Sequence, residues 1–149
     1  MASFDFTIRE GTTKRIQLTG VDANGVAYNY TGATVDVIVK AKSADAIQAV
    51  GGSPPYFQLV VSGAGVGTST PAGRMFLGRP NPAAVDGALI DTAASTGYLT
   101  IRFAPEDTTA LVTTANKAFV WECRVTTGAA DAYTLGSGTI TVEDSLFDN

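Results

Sequence analysis

The sequence predicts an all-β protein, and three observations carry that expectation. Thr (20), Val (14) and Ile (7) far outnumber Leu (8), Glu (4) and Lys (4). Side chains branched at Cβ are stiff about χ1 and suit a pleated surface better than a helix. Several segments alternate apolar and polar residues with period two, and Gly, Pro, Asn and Asp gather between them, the pattern of short strands joined by turns. With 149 residues the chain can bury about two-thirds of its unfolded surface, so one domain spanning 1–149 needs no staple.

The expected strands follow in chain order. Phe4, Phe6 and Ile8 share one face opposite Asp5 and Thr7, and Ile16 and Leu18 share one opposite Arg15, Gln17 and Thr19. Asp22-Ala23-Asn24-Gly25 then reads as a tight hairpin, because Asn-Gly supplies the positive φ such turns require. Val35, Val37 and Val39 point inward with Asp36 and Lys40 outward, while Ile38 breaks the outward pattern and hints at a second contact. Leu99, Ile101 and Phe103 alternate with Thr100 and Arg102. At 105–111, Pro followed by two acids is the composition of a helix start, so a single helical turn is expected there. Phe119, Trp121, Cys123 and Val125 form the longest inward face, and Ile140 and Val142 the last. Six such strands imply an antiparallel β-sandwich.

Residues 44–97 differ from their surroundings. They hold five of the six prolines (Pro54, Pro55, Pro71, Pro80, Pro82), nine of the sixteen glycines and only five charges. Loops of that length usually serve a purpose. The segment also carries Tyr56, Phe57, Leu59, Val60, Met75, Phe76 and Leu77, which must hide somewhere. Rather than a floppy insertion, it reads as an extended arm that orders against a neighbouring subunit, with Tyr56, Phe57, Leu59, Met75, Phe76 and Leu77 as the interaction residues.

Composition excludes much chemistry. With no His and a single Cys there is no His-based triad, no His/Cys zinc site and no internal disulfide. Cys123 lies on an apolar strand face without a base to activate it and reads as core. Glu106 and Asp107 are neighbours at a turn, where two carboxylates rarely converge on one substrate atom. The loop 63–69 lacks the Lys of a P-loop and the third Gly of a dinucleotide fingerprint. Asp22, Asn24 and Gly25 echo the opening of a calcium loop that Val26 and a missing terminal Glu interrupt. No catalytic residue, cofactor or metal is therefore expected. The net charge of −4 with scattered cations offers no basic stripe for nucleic acid, and no apolar run suits a membrane span. No secretion signal opens the sequence, so the expected compartment of synthesis is the cytoplasm. Charged residues make up only 16% of the chain, below the roughly 25% usual for soluble domains, which suggests a partly covered surface.

Two stretches carry a resemblance. Phe6-Thr7-Ile8-Arg9-Glu10-Gly11-Thr12, Ile16-Gln17-Leu18, Asp22-Ala23-Asn24-Gly25 and Tyr30-Thr31-Gly32-Ala33-Thr34-Val35 resemble the opening of the small immunoglobulin-like domains of tailed-bacteriophage structural proteins, including the N-terminal domain of baseplate upper proteins. Gly97-Tyr98-Leu99-Thr100-Ile101 with Pro105-Glu106-Asp107-Thr108 resembles the stretch before that family's last hairpin, whose strands would be 119–126 and 138–142. The likeness covers about 4–42 and 97–143, and 44–96 departs from it in length. It implies an Ig-like sandwich with no catalytic residues. Leu99-Thr100-Ile101 and Pro105-Glu106-Asp107 are also similar to antibody variable domains, but the partner cysteine of Cys123 is absent, and shared topology suffices to explain the likeness.

The functional expectation is a non-enzymatic virion protein, assembled in the bacterial host cytoplasm, that docks as a head-decoration, neck, tail or baseplate subunit. Its expected partners are other virion proteins and further copies of itself. The alternative is a carbohydrate- or receptor-binding module that stacks sugar rings on Tyr28, Tyr30, Tyr56 or Tyr133.

Overall fold

Twelve strands and one helix follow one another in the computed structural model, which describes residues 2–42, 45–52, 54–84, 87–112 and 118–146. In chain order the strands are β1 (Ala2–Ser3), β2 (Phe6–Arg9), β3 (Lys14–Thr19), β4 (Thr34–Lys40), β5 (Tyr56–Val61), β6 (Gly67–Thr70), β7 (Met75–Leu77), β8 (Arg79–Pro80), β9 (Leu89–Ile90), β10 (Tyr98–Phe103), β11 (Ala118–Thr126) and β12 (Ala132–Glu143). Helix α1 (Pro105–Val112) links β10 to β11.

The larger sheet runs β1-β12-β11-β4-β5-β6, with β2 also on β12, and the smaller runs β3-β10-β7. Strands β8 and β9 form a two-stranded ribbon. Neighbours are antiparallel except β1 and β2, which run parallel to β12. Two strands added beyond a three-stranded β12-β11-β4 core, facing a second sheet built from β3, β10 and β7, is the variable-type immunoglobulin arrangement. The fold is an all-β Ig-like sandwich. One departure matters later: in that plan the first strand lies beside β3, whereas here it lies on β12.

The period-two faces meet between the sheets. Val35, Val37 and Val39 from β4, Phe119, Cys123 and Val125 from β11, and Ile140 from β12 oppose Leu18, Leu99 and Ile101. Trp121 is 3% exposed. Its indole Nε1 donates to the Phe4 carbonyl at 2.9 Å, and its ring meets Phe6 edge-on at 5.7 Å. At Gly138 an added Cβ would lie 2.0 Å from the Phe4 carbonyl oxygen, so glycine alone lets the N-terminal segment cross β12 there. The expected helical turn is real and slightly longer. Asp107 Oδ2 accepts from the Ala104 N–H at 2.8 Å, which satisfies one donor of the helix start, and the buried Thr108 hydroxyl donates to the Thr12 carbonyl at 3.1 Å. The turn at Asp22 forms as expected, with Gly25 at φ +79° and Asp22 Oδ1 accepting from Asn24 and Val26 N–H. Only the single bridge Val21–Ala27 flanks it, so it belongs to the long β3–β4 connection rather than to a two-stranded hairpin.

The segment 44–97 is not an arm. It contributes β5, β6 and β7 to the sandwich, and Phe57, Leu59, Met75 and Leu77 are buried in this chain's own core. Its glycines and prolines sit largely between very short strands, where they turn the chain. The apolar residues between them needed no neighbouring subunit to cover them. Replacing 62–96 by a short Gly/Ser loop is therefore expected to leave the chain without strand signal in circular dichroism, because it deletes two sandwich strands. Trp121→Ala should cost about 3–5 kcal/mol in urea titration, the scale of a buried aromatic truncation.

Candidate functional site

Outward positions of the larger sheet form the first candidate surface. Ile38 on β4 sits opposite Glu122, and Lys40 opposite Val120, so the two outward apolar residues are diagonal neighbours on adjoining strands. With Ile47 from the β4–β5 connection, 58% exposed, they line a hollow of about 200 Å³ rimmed by Lys40, Glu122 and Arg124. Beside it Asp36 accepts from the Tyr56 hydroxyl at 2.9 Å and from Gln58 Nε2 at 3.1 Å. Burial, then the bond to Asp36, pushes the Tyr56 phenol up. Glu122 accepts from the Thr134 hydroxyl at 3.0 Å and pairs with Arg124 at 3.3 Å. Val60, 48% exposed, extends the apolar character along β5.

The second candidate lies at the end of the sandwich where the connections β3–β4, β5–β6 and β11–β12 gather. Gly32 N–H donates to the Ser62 carbonyl at 3.3 Å, and a Cβ on Gly128 would lie 3.7 Å from the Gly32 carbonyl. Val21, Val26, Val66 and Tyr133 are exposed on it. The rings of Tyr28 and Tyr133 lie 5.7 Å apart. Burial first, then Tyr133 and the Asp22 carboxylate, raise the Tyr28 phenol. Tyr30 belongs to the interior: fully buried, it donates its hydroxyl to the Gly97 carbonyl at 2.8 Å and ties this end to the start of β10.

Of the six expected interaction residues, the structure therefore keeps only Tyr56 and Phe76 partly accessible, on outward faces of different sheets. Phe57, Leu59, Met75 and Leu77 face inward, and no common surface joins the six. Sequence reasoning singled out Ile38 but passed over Val120, Ile47 and Val60. The available signal was a second apolar residue at an outward position of a neighbouring strand.

The groups with chemical potential have structural employment. Arg74 binds Asp107 through Nε at 2.6 Å and Glu106 through Nη2 at 2.9 Å, which fastens the β6–β7 connection to the helix start. Glu106's own main-chain N–H, and then Arg74, hold its carboxyl below the ordinary range. The 63–66 stretch is the β5–β6 turn, where Ser62 Oγ accepts from Ala64 and Val66 N–H. Cys123 is fully buried, and burial pushes its thiol up. Among the described residues no cluster of three or more His, Cys, Asp or Glu could hold a metal, and no helix is long and apolar enough to cross a membrane.

No known family's sequence model matches this chain, and no curated protein matches it. Solved structures do. Over 96% of its length, and 92% of the other chain, it superposes at 10% identity and a TM-score of 0.50 on a structure from work on multimeric cell-adhesive interactions of voltage-gated sodium channel β subunits. It also aligns over 97% and 93% with an extracellular-domain structure of the sodium channel β4 subunit described as a parallel homodimer, at 7% identity and a TM-score of 0.41. The first likeness supports the Ig-like sandwich and nothing finer.

Alkali should expose the buried acids. The Tyr30 phenol and Cys123 thiol both hold their protons more tightly in the folded chain than at their ordinary values of 10.0 and 9.0, because burial penalises the charged forms. Below pH 9 both states stay protonated. Above it the unfolded chain releases these protons first, so stability should fall as pH rises. Thermal melts from pH 7 to 11 should show this decline. Tyr30→Phe should flatten its upper part and cost about 1 kcal/mol at pH 7 for the lost hydrogen bond.

Proposed function

We propose that this chain is a non-enzymatic accessory subunit of a bacteriophage particle, assembled in the host cytoplasm and docked on the head, neck, tail or baseplate beside other virion proteins. The resemblance of 4–42 and 97–143 to phage Ig-like domains supports the setting. The outward face of the larger sheet carries the docking role. Ile38, Val120 and Ile47 form an apolar hollow where a solvated sheet would place polar residues, while Asp36 and Glu122 spend their acceptors within the face. The non-enzymatic reading rests on the structural employment of Cys123, Glu106 and Asp107. Mass spectrometry of purified particles should find the chain in fixed stoichiometry. Ile38→Asp should leave the circular dichroism spectrum unchanged and remove the protein from the particles. A chain absent from purified particles overturns the virion reading, and normal incorporation of Ile38→Asp overturns the docking face.

A second reading, a carbohydrate- or receptor-binding module, is favoured by the accessible Tyr28–Tyr133 pair at the loop end. Glycan-array binding abolished by Tyr133→Ala would select it.

A further inference from the structure

Strand β3 ends the smaller sheet, with no strand beyond it among the described residues. The direction of its main-chain groups follows from the ladder on the other side. Arg102 N–H donates to the Arg74 carbonyl at 2.7 Å and Gly78 N–H to the Tyr98 carbonyl at 2.9 Å, so even-numbered residues of β10 bond towards β7. Odd-numbered ones bond towards β3, where Leu99 faces Leu18, Ile101 faces Ile16 and Phe103 faces Lys14. The N–H and C=O groups of Arg15, Gln17 and Thr19 therefore point to the open side. Apolar surface accompanies this edge. Ile16 is half-buried, and Leu18 and the partly exposed Phe4 both lie against Gly136.

We propose that β3 pairs antiparallel with β3 of a second copy about a two-fold axis at Gln17, joining two three-stranded sheets into one continuous sheet. The second copy is the occupant because the strand is complementary to itself in this frame. Gln17 faces Gln17 and Arg15 faces Thr19, each pair joining residues whose main-chain groups are turned outward. Ile16 faces Leu18 on the core side, in the closer kind of pair that brings side chains together. Lys14 and Arg15 lie at one end of the strand, so antiparallel pairing carries the cations of the two copies to opposite ends. A one-residue slip would put each strand's core residues on the wrong face. The charges at one end are of the kind that discourages random edge pairing, whereas Gln17 and Thr19 leave the centre open. Two short strands bury less than the roughly 1,600 Å² of a standard interface, so the dimer forms with concentration. This inference is independent of the virion reading.

Gln17→Cys tests it directly. Opposed residues of a hydrogen-bonded antiparallel pair lie about 5.5 Å apart at Cα, within disulfide reach, and the native Cys123 is fully buried. Under mild oxidation this variant should give a covalent dimer on non-reducing gels at least tenfold faster than Thr7→Cys, an exposed position on the edge of the larger sheet. Gln17→Pro should remain monomeric in sedimentation equilibrium at concentrations where the natural chain dimerises, because proline removes an outward N–H that an edge strand can forgo. Equal cross-linking rates for the two cysteine variants overturn the proposal. So does a natural chain that stays monomeric at millimolar concentration, or a folded Gln17→Pro chain that dimerises as before. Should Gln17→Pro fail to fold, the cross-linking rates decide.

Discussion

The hydrogen bond from the Trp121 indole to the Phe4 carbonyl sets the plan of the molecule. Trp121 sits at the middle of the longest inward face, and its polar nitrogen needs an acceptor once the ring is buried. The N-terminal segment supplies that acceptor by crossing β12 at Gly138, where the missing side chain leaves room for the Phe4 carbonyl. Asp5 Oδ1 then accepts from the Thr139 N–H, and β2 continues along β12 with Phe6 against both Trp121 and Phe103. One buried nitrogen thus commits the first strand to the larger sheet, leaves β3 uncovered and gives the sandwich its asymmetric edges.

Elements whose alternation runs for several residues were legible in the sequence. Val35-Asp36-Val37-Ile38-Val39 and the face from Phe119 to Val125 state their orientation repeatedly, and burial in the structure follows them. The helix start was legible because Pro105, Glu106 and Asp107 act through local chemistry. Residues 44–97 were not, for two physical reasons. A strand as short as Met75-Phe76-Leu77 gives too few alternations to separate it from an apolar loop. An apolar residue also declares that it will be buried, not against what, so Phe57 and Leu59 fit a neighbouring subunit as well as their own core. The hollow was half legible, since Ile38 advertised a second contact while its diagonal partner Val120 depends on strand register.

The low charge of the chain has its explanation in the outward rows. Thr7, Thr19, Thr68, Thr70, Thr139 and Thr141 occupy exposed strand positions that many domains give to Lys or Glu. Threonine meets water with its hydroxyl and still favours extended backbone. The few charges that remain are placed as ties: Arg9 with Glu143 joins β2 to β12, and Arg79 with Asp91 joins the two sides of the β8–β9 ribbon.

The parallel docking of β2 on β12 also orders events during synthesis. Arg9 and Glu143 are 134 positions apart, and Ile8 pairs with Val142 across a similar span. At about 5–20 residues added per second, the first strand emerges well before the strand that will hold it exists. Through that interval Phe6 and Ile8 have no lateral partner, and closure of the larger sheet waits for the arrival of residues 140–143. The long sequence separation places this protein among slow-closing topologies, in which the chain is most open to capture by other molecules while its two ends are still unjoined.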